Sequence, residues 1–182
     1  MTLEIRDATA TDMRPLHAIY AHHVAHGLGT FDEVAPALGE FEEKWRSVVA
    51  SGLAWLVACE NGDPVGYAYA SAFRPRAGYR FAVEDSVYVR ADQMGRRIGG
   101  RLLAALIGRC ETAGARQIVA VIGDSGNAQS IALHRRLGFE HVGTLRAVGC
   151  KFGRWIDVVM MQRALNGGDA SAPPMAGAWR MP

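Results

Sequence analysis

The chain has 182 residues, 49% of them hydrophobic, which suits one globular domain able to bury a real core and leaves no room for a second. Its formal net charge of +2 is too small an excess of Lys and Arg to predict a nucleic-acid surface, so the basic residues are read locally. Residues 3–8 read as a short strand, and Thr11 and Asp12 offer side-chain oxygens to start a helix in whose first turn Pro15 fits. Met13, Leu16, Ile19, Tyr20 and Val24 then recur at helical spacing, as do Phe41, Trp45, Val48 and Val49 after a looser Gly- and Pro-containing connection at 27–39. Strand-like runs at 53–59 and 65–73 flank Glu60, Asn61, Gly62 and Asp63, which is hairpin turn chemistry, and a third run covers 81–89. Leu102, Leu103, Leu106, Ile107 and Cys110 form an apolar helix face. A strand at 117–123, a helix at 127–137 ended by Gly138, and strands near 140–149 and 154–163 complete the order.

The expected fold class is therefore α/β (α+β): a mixed, mostly antiparallel sheet with one central parallel strand pair, demanded by the strand–helix–strand crossover, and flanking helices. Residues 1–165 form the domain, and 166–182 have the composition of a flexible tail. Cys59, Cys110 and Cys150 are odd in number, widely spaced and set among apolar residues, which predicts three buried thiols in a reducing compartment instead of disulfides. With no apolar signal core and no bilayer-length run, a cytoplasmic location without membrane contact is expected.

Two segments carry chemistry. In the first, Gly95, Gly99 and Gly100 clear side chains from a helix start whose free N–H groups suit a phosphate, with Arg96, Arg97 and Arg101 nearby. Neither GxGxxG nor GK[ST] spacing is present, so ordinary dinucleotide and ATP folds are not indicated; tight packing beside a solvated arginine face is the other reading. In the second, Asn127, Ser130, Ile131 and His134 fall on one helical stripe. Strand alternation separates Glu84, Ser86 and Tyr88 from Val83, Asp85, Val87 and Val89, so one of two adjacent carboxylates must face apolar surroundings and needs a partner, a raised pKa or a pocket. His22, His23 and His26 are scattered around their helix without Cys or carboxylate at ligand spacing, and no metal is expected.

VEDSVYV at 83–89, the turn at 94–99, NAQSIALHRRLGF at 127–139 and GTLRAVGCKFGRWIDVVMMQ at 143–162 together resemble GNAT-type N-acetyltransferases, within them the phosphinothricin N-acetyltransferase group, over residues 3–163. The resemblance implies the GNAT acyltransferase fold, acetyl-CoA as co-substrate, a small-molecule amine as acceptor and a homodimer. Pantetheine would run between splayed strands near 87–89 and 119–122, touching Val87, Tyr88 and Val89, with the pyrophosphate on the N–H groups of Gly95, Arg96, Arg97, Ile98, Gly99 and Gly100. Asn127 and Ser130 would complete the cofactor site. Glu84 matches the family's base and His134 the position where many relatives carry a tyrosine acid, consistent with an ammonium that must lose a proton and a thiolate that gains one. Arg74, Arg76 and Tyr79 stand where relatives hold substrate, with Phe31 and Asp32 in the early loop, while Lys151, Phe152 and Trp155 either wall the pocket or meet a second subunit. The implied reaction is direct acetylation of the α-amino group of a phosphinothricin-, methionine sulfoximine- or methionine sulfone-like amino acid. The alternatives are another amine (a polyamine, an aminoglycoside or a peptide N-terminus), or a non-catalytic acyl-CoA sensor. Met94 and Arg97 depart from the family's [QR]xxGx[GA] turn, and a positive φ at 97 would strain a non-glycine residue by about 1 kcal/mol.

Overall fold

The structure is a computed structural model that describes residues 2–172. Its elements follow the expected order: β1 (Leu3–Asp7), α1 (Met13–His26), α2 (Leu38–Ala50), β2 (Trp55–Glu60), β3 (Asp63–Ala72), β4 (Ala82–Val89), α3 (Ile98–Thr112), β5 (Gln117–Gly123), α4 (Ala128–Arg136), β6 (Glu140–Lys151) and β7 (Arg154–Ala164). They build one seven-stranded sheet in the order β1-β2-β3-β4-β5-β7-β6. Every neighbouring pair is antiparallel except β4–β5, whose crossover through α3 makes it parallel.

Local sequence explains most element ends. Asn61 and Gly62 take positive φ values of 52° and 84°, the geometry of a tight β2–β3 hairpin. The first helix is organised two residues earlier than expected: the Asp12 carboxylate accepts from the Thr9 N–H and hydroxyl and is gripped by both Arg6 guanidinium nitrogens at 2.7 and 2.8 Å. Asn127 is the N-cap of α4, its side chain accepting from the Ser130 N–H at 3.2 Å. Gly138, at φ 80°, ends that helix as expected. Residues 166–171, assigned to the tail by composition, are hydrogen bonded to the domain: Asn166 donates to the Glu111 and Ala115 carbonyls, and Arg116 donates to Gly168 and Ser171. The rest of that tail, 173–182, lies outside the described residues.

Helices α1 and α2 cover one face of the sheet, where Tyr20, Phe41, Trp55, Tyr67, Tyr69 and Tyr88 form a continuous aromatic layer. Helix α3 covers the other, burying Leu102, Leu103, Leu106 and Cys110. One expectation about the thiols is corrected. Cys59 and Cys110 are buried, but Cys150 is exposed on β6, the edge strand of the sheet. Among the described residues, no helix is long and apolar enough to cross a membrane.

Candidate active site at the parting of two strands

The pairing of β4 with β5 stops at Asp85 and Ala120, while β4 continues to Val89 and β5 to Gly123. Since the Arg90 N–H donates to Val65 and the β3–β4 register is fixed, the backbone groups of Ser86 and Tyr88 serve β3, and those of Val87 and Val89 point into the gap. The Val89 carbonyl is met by His23 Nε2 of α1 at 2.8 Å. Burial pushes the His23 pKa down, so the ring is neutral and donates through Nε2. Sequence spacing had only excluded His23 from a metal cluster; its strut to β4 depends on a tertiary contact.

Beyond the end of β4 lies the phosphate-type turn. Gly95 adopts φ 78°, and Arg97, the residue before α3, adopts φ 62° and ψ 13°, the left-handed conformation that costs a side-chain-bearing residue about 1 kcal/mol. Gly99 faces the Val87 and Val89 side chains, which a Cβ there would meet at ordinary van der Waals contact, so the helix start abuts the open end of β4. Ile98 is buried and has only its backbone to offer. Arg96 is engaged by Glu60, whose two carboxylate oxygens it meets at 2.7 and 2.8 Å. Arg97 is exposed, which leaves it the available guanidinium of the pair.

The alternation expected for β4 is realised. Glu84 lies on the α1–α2 face and, with Phe31, Arg74, Val121, Gly149 and Cys150 among others, lines a 490 Å³ cavity. Burial pushes the Glu84 carboxyl up, the neighbouring Asp85 charge adds to this, and Arg74 and Lys44 oppose it. Arg76 and Tyr79 do not line this cavity: they are exposed on the adjoining turn, where the Tyr79 ring packs edge-on against Phe73. Of the three residues near the end of the chain considered as a pocket wall, Lys151 is buried, and Phe152 and Trp155 are exposed away from the cavity. The Asp32 carboxylate accepts from the Tyr20 hydroxyl at 2.6 Å.

Asp85 lies on the opposite face and is the carboxylate with a partner. Its Oδ2 is 3.0 Å from His134 Nε2, and His134 Nδ1 is 2.8 Å from the Ser130 carbonyl. Both groups are buried. With Nδ1 placed to donate to the Ser130 carbonyl and Nε2 facing the Asp85 carboxyl group, the surroundings favour the doubly protonated ring. Burial works against the charged ring, but the Asp85 hydrogen bond and charge outweigh it, and the His134 pKa is raised. Glu84 and His134, expected as base and acid of one reaction, are thus on opposite faces of β4, and each ring nitrogen of His134 is directed at a protein acceptor. Among the described residues, no group of three or more His, Cys, Asp or Glu side chains is placed to hold a metal ion.

A half-buried carboxylate in a cavity, next to strands that part beside an amide-rich helix start, has the chemistry to accept a proton beside a surface suited to an anion. Comparison with known proteins identifies the family. The acetyltransferase (GNAT) domain family matches residues 5–160. The chain is 48% identical to a phosphinothricin N-acetyltransferase of Alcaligenes faecalis over 93% of its own length and 86% of the relative's. It is 42% identical to an L-methionine sulfoximine/L-methionine sulfone acetyltransferase of Pseudomonas paraeruginosa, over 91% of its own length and 96% of the relative's. Its fold superposes with a TM-score of 0.93 on the crystal structure of a GNAT superfamily phosphinothricin acetyltransferase from Sinorhizobium meliloti in complex with acetyl-CoA, at 44% identity over 97% of this chain and 96% of that one. The chain belongs to the GNAT acetyltransferase family and is an acetyl-CoA-dependent N-acetyltransferase.

Proposed function

We propose that the protein acetylates the α-amino group of a small amino acid of the phosphinothricin, methionine sulfoximine or methionine sulfone type, by direct attack within a ternary complex. The observation that carries this reading is the cavity shared by Glu84 and Arg74, beside the β4–β5 gap. Arg74 suits the carboxylate or phosphinate of such an acceptor, since a guanidinium fork matches paired oxygens, and it disfavours a polycationic amine. Glu84, with its raised pKa, takes the ammonium proton. The freed amine attacks the thioester carbonyl, and the oxyanion that forms is met by backbone N–H groups of Val87 or Val89, which are fixed in the gap before reaction begins. Collapse breaks the C–S bond, the departing thiolate carries the pair of electrons away, and the second proton of the attacking nitrogen passes to it, leaving the neutral amide and the CoA thiol. Gly95, Arg96, Arg97, Ile98, Gly99 and Gly100 supply N–H groups, and Arg97 a side chain, for the pyrophosphate; Asn127, which caps α4 by accepting from the Ser130 N–H, and Ser130 complete the cofactor residues of this reading.

His134 is better suited to holding Asp85, and with it α4 against the last paired residue of β4, than to delivering a proton. A homodimer is also part of this reading. The edge strand β6 exposes Val142, Leu145 and Val148, with Phe152 and Trp155 at its hairpin, an apolar set whose burial favours association. Sedimentation of the purified protein should give twice the mass of the chain.

Thiol release from acetyl-CoA against a panel of amines tests the assignment. Amino acids with a second anionic or strongly polar group should be consumed well above unsubstituted aliphatic amines, polyamines and aminoglycosides. Turnover confined to polycationic amines would overturn it.

A further inference from the structure

The connection between α1 and α2 crosses the open end of the sheet, and three independent features hold it there. The Leu28 carbonyl lies on Gly123 of β5, where an added Cβ would overlap it. The Thr30 carbonyl accepts from Lys151 Nζ at 2.8 Å, and the Thr30 hydroxyl meets the Tyr20 hydroxyl at 3.0 Å, so this residue is held from both sides. The Phe31 ring rests on the bare backbone of Gly149, and a Cβ there would overlap the ring atoms.

Each feature carries a cost that packing alone does not require. Lys151 is 1% exposed, and its buried ammonium has the Thr30 carbonyl as its hydrogen-bond acceptor, with the charges of Asp32 and Glu33 opposing the penalty of burial. Gly149 stands where β6 slips register against β7 between Leu145 and Gly149. That bulge is itself fastened, because the Asp157 carboxylate accepts from the Ala147 N–H at 2.9 Å and from the Ser125 hydroxyl at 2.9 Å, while Ala147 takes φ 50°. A bulge re-aims the residues of its strand, and here it turns Val148, Gly149 and Cys150 toward the cavity that contains Glu84.

We propose that Gly149 and Lys151 are specificity-determining residues for the acceptor, acting by seating Phe31 as the wall of the cavity against which the side chain of the amino acid lies. The proposal rests on the assignment of that cavity to the acceptor. The cofactor gap, on the far side of Glu84 along β4, does not depend on this seat. Gly149→Ala, by displacing the ring, should therefore raise the acceptor KM about tenfold, the scale at which an apolar pocket discriminates by one or two methylenes, and leave the acetyl-CoA KM within about twofold. Phe31→Ala should do the same. In the Phe31→Ala background the Gly149→Ala change should add nothing, since the atoms nearest a Cβ at 149 are those of the Phe31 ring; such non-additivity is the signature of two residues acting through one contact. Should Gly149→Ala fold poorly, Lys151→Met tests the same seat by releasing Thr30, and it too should raise the acceptor KM selectively. An unchanged acceptor KM in both Gly149→Ala and Lys151→Met, or effects of Phe31→Ala and Gly149→Ala that multiply, would overturn the proposal. Failure of the wider functional reading looks different: the unsubstituted enzyme would then consume no amino acid, and the same cycle is read with whichever amine it does consume.

Discussion

Glu84 and Asp85 are adjacent, chemically alike, and live in opposite worlds. Glu84 faces a cavity, with Arg74 and Lys44 close enough to act on its charge. Asp85 faces the buried side, held by the His134 ring, with no hydrogen-bond partner for its other oxygen, Oδ1, among the described residues. The pleat of one strand therefore divides a pair of acids into a carboxyl free to exchange protons and a carboxylate that holds structure. The two residues should therefore fail differently when changed. Glu84→Gln should lower kcat about 10²- to 10⁴-fold, the range for loss of a general base, and leave the denaturation midpoint near that of the unsubstituted protein. Asp85→Ala should do the reverse in emphasis. Removing one member of a buried ion pair strands the other, at a cost of about 3–5 kcal/mol, measurable by urea denaturation. Loss of stability in Glu84→Gln, or a stable Asp85→Ala, would erase the contrast.

The same contrast has a pH form. The folded His134 pKa lies above its unfolded value, so its contribution to stability is complete below about 6.5, the ordinary histidine pKa, and is lost as pH rises through the folded value. The Glu84 carboxyl is also raised, but its titration should be read in the rate: kcat/KM falls as pH drops through its elevated pKa, because a protonated base accepts nothing. Two profiles should thus separate, stability declining toward alkaline pH and activity declining toward acid pH. His134→Gln should flatten the first and spare the acid limb of the second. A shift of the acid limb in His134→Gln would tie the imidazole to the proton transfer and restore it as a catalytic group.

Why the sequence revealed one half of this contrast more readily than the other follows from range. Met13, Leu16, Ile19, Tyr20 and Val24, read from helical period alone, are all buried in α1, and the alternation of β4 is the one its residues predict. Periodicity is local, and the core follows it. Which of Glu84 and Asp85 faces the cavity is not local: it depends on α1 and α2 covering one face and α3 and α4 the other. His134 stands in sequence where many relatives carry a tyrosine acid, whereas the carboxyl group it meets, 3.0 Å away, belongs to another element and gave no local signal. Gly149 gave no signal and Lys151 was expected only as a pocket wall or subunit contact, since a glycine in a strand and a lysine near a hairpin are ordinary until Phe31 and Thr30 are seen resting on them. Cys150 misled for a related reason, as nothing in its neighbours reveals that β6 is an edge.

The smallest effect concerns a residue outside both faces of β4, where sequence and structure agree that something is strained. Arg97 holds φ 62° at the start of α3, in the position its relatives' turn gives to glycine. Arg97→Gly should relieve about 1 kcal/mol of that strain, raising the melting temperature by about 2–4 °C for a chain of this size. If strain were the whole effect, acetyl-CoA would bind the relaxed variant at least as well. The expectation is the opposite. Arg96 is occupied by Glu60, which leaves the Arg97 guanidinium to meet the cofactor's phosphates, so the acetyl-CoA KM should rise several-fold while the acceptor KM stays fixed. A more stable variant with a lower acetyl-CoA KM would mean that the side chain contributes nothing at the phosphate site and that the backbone amides bind it alone.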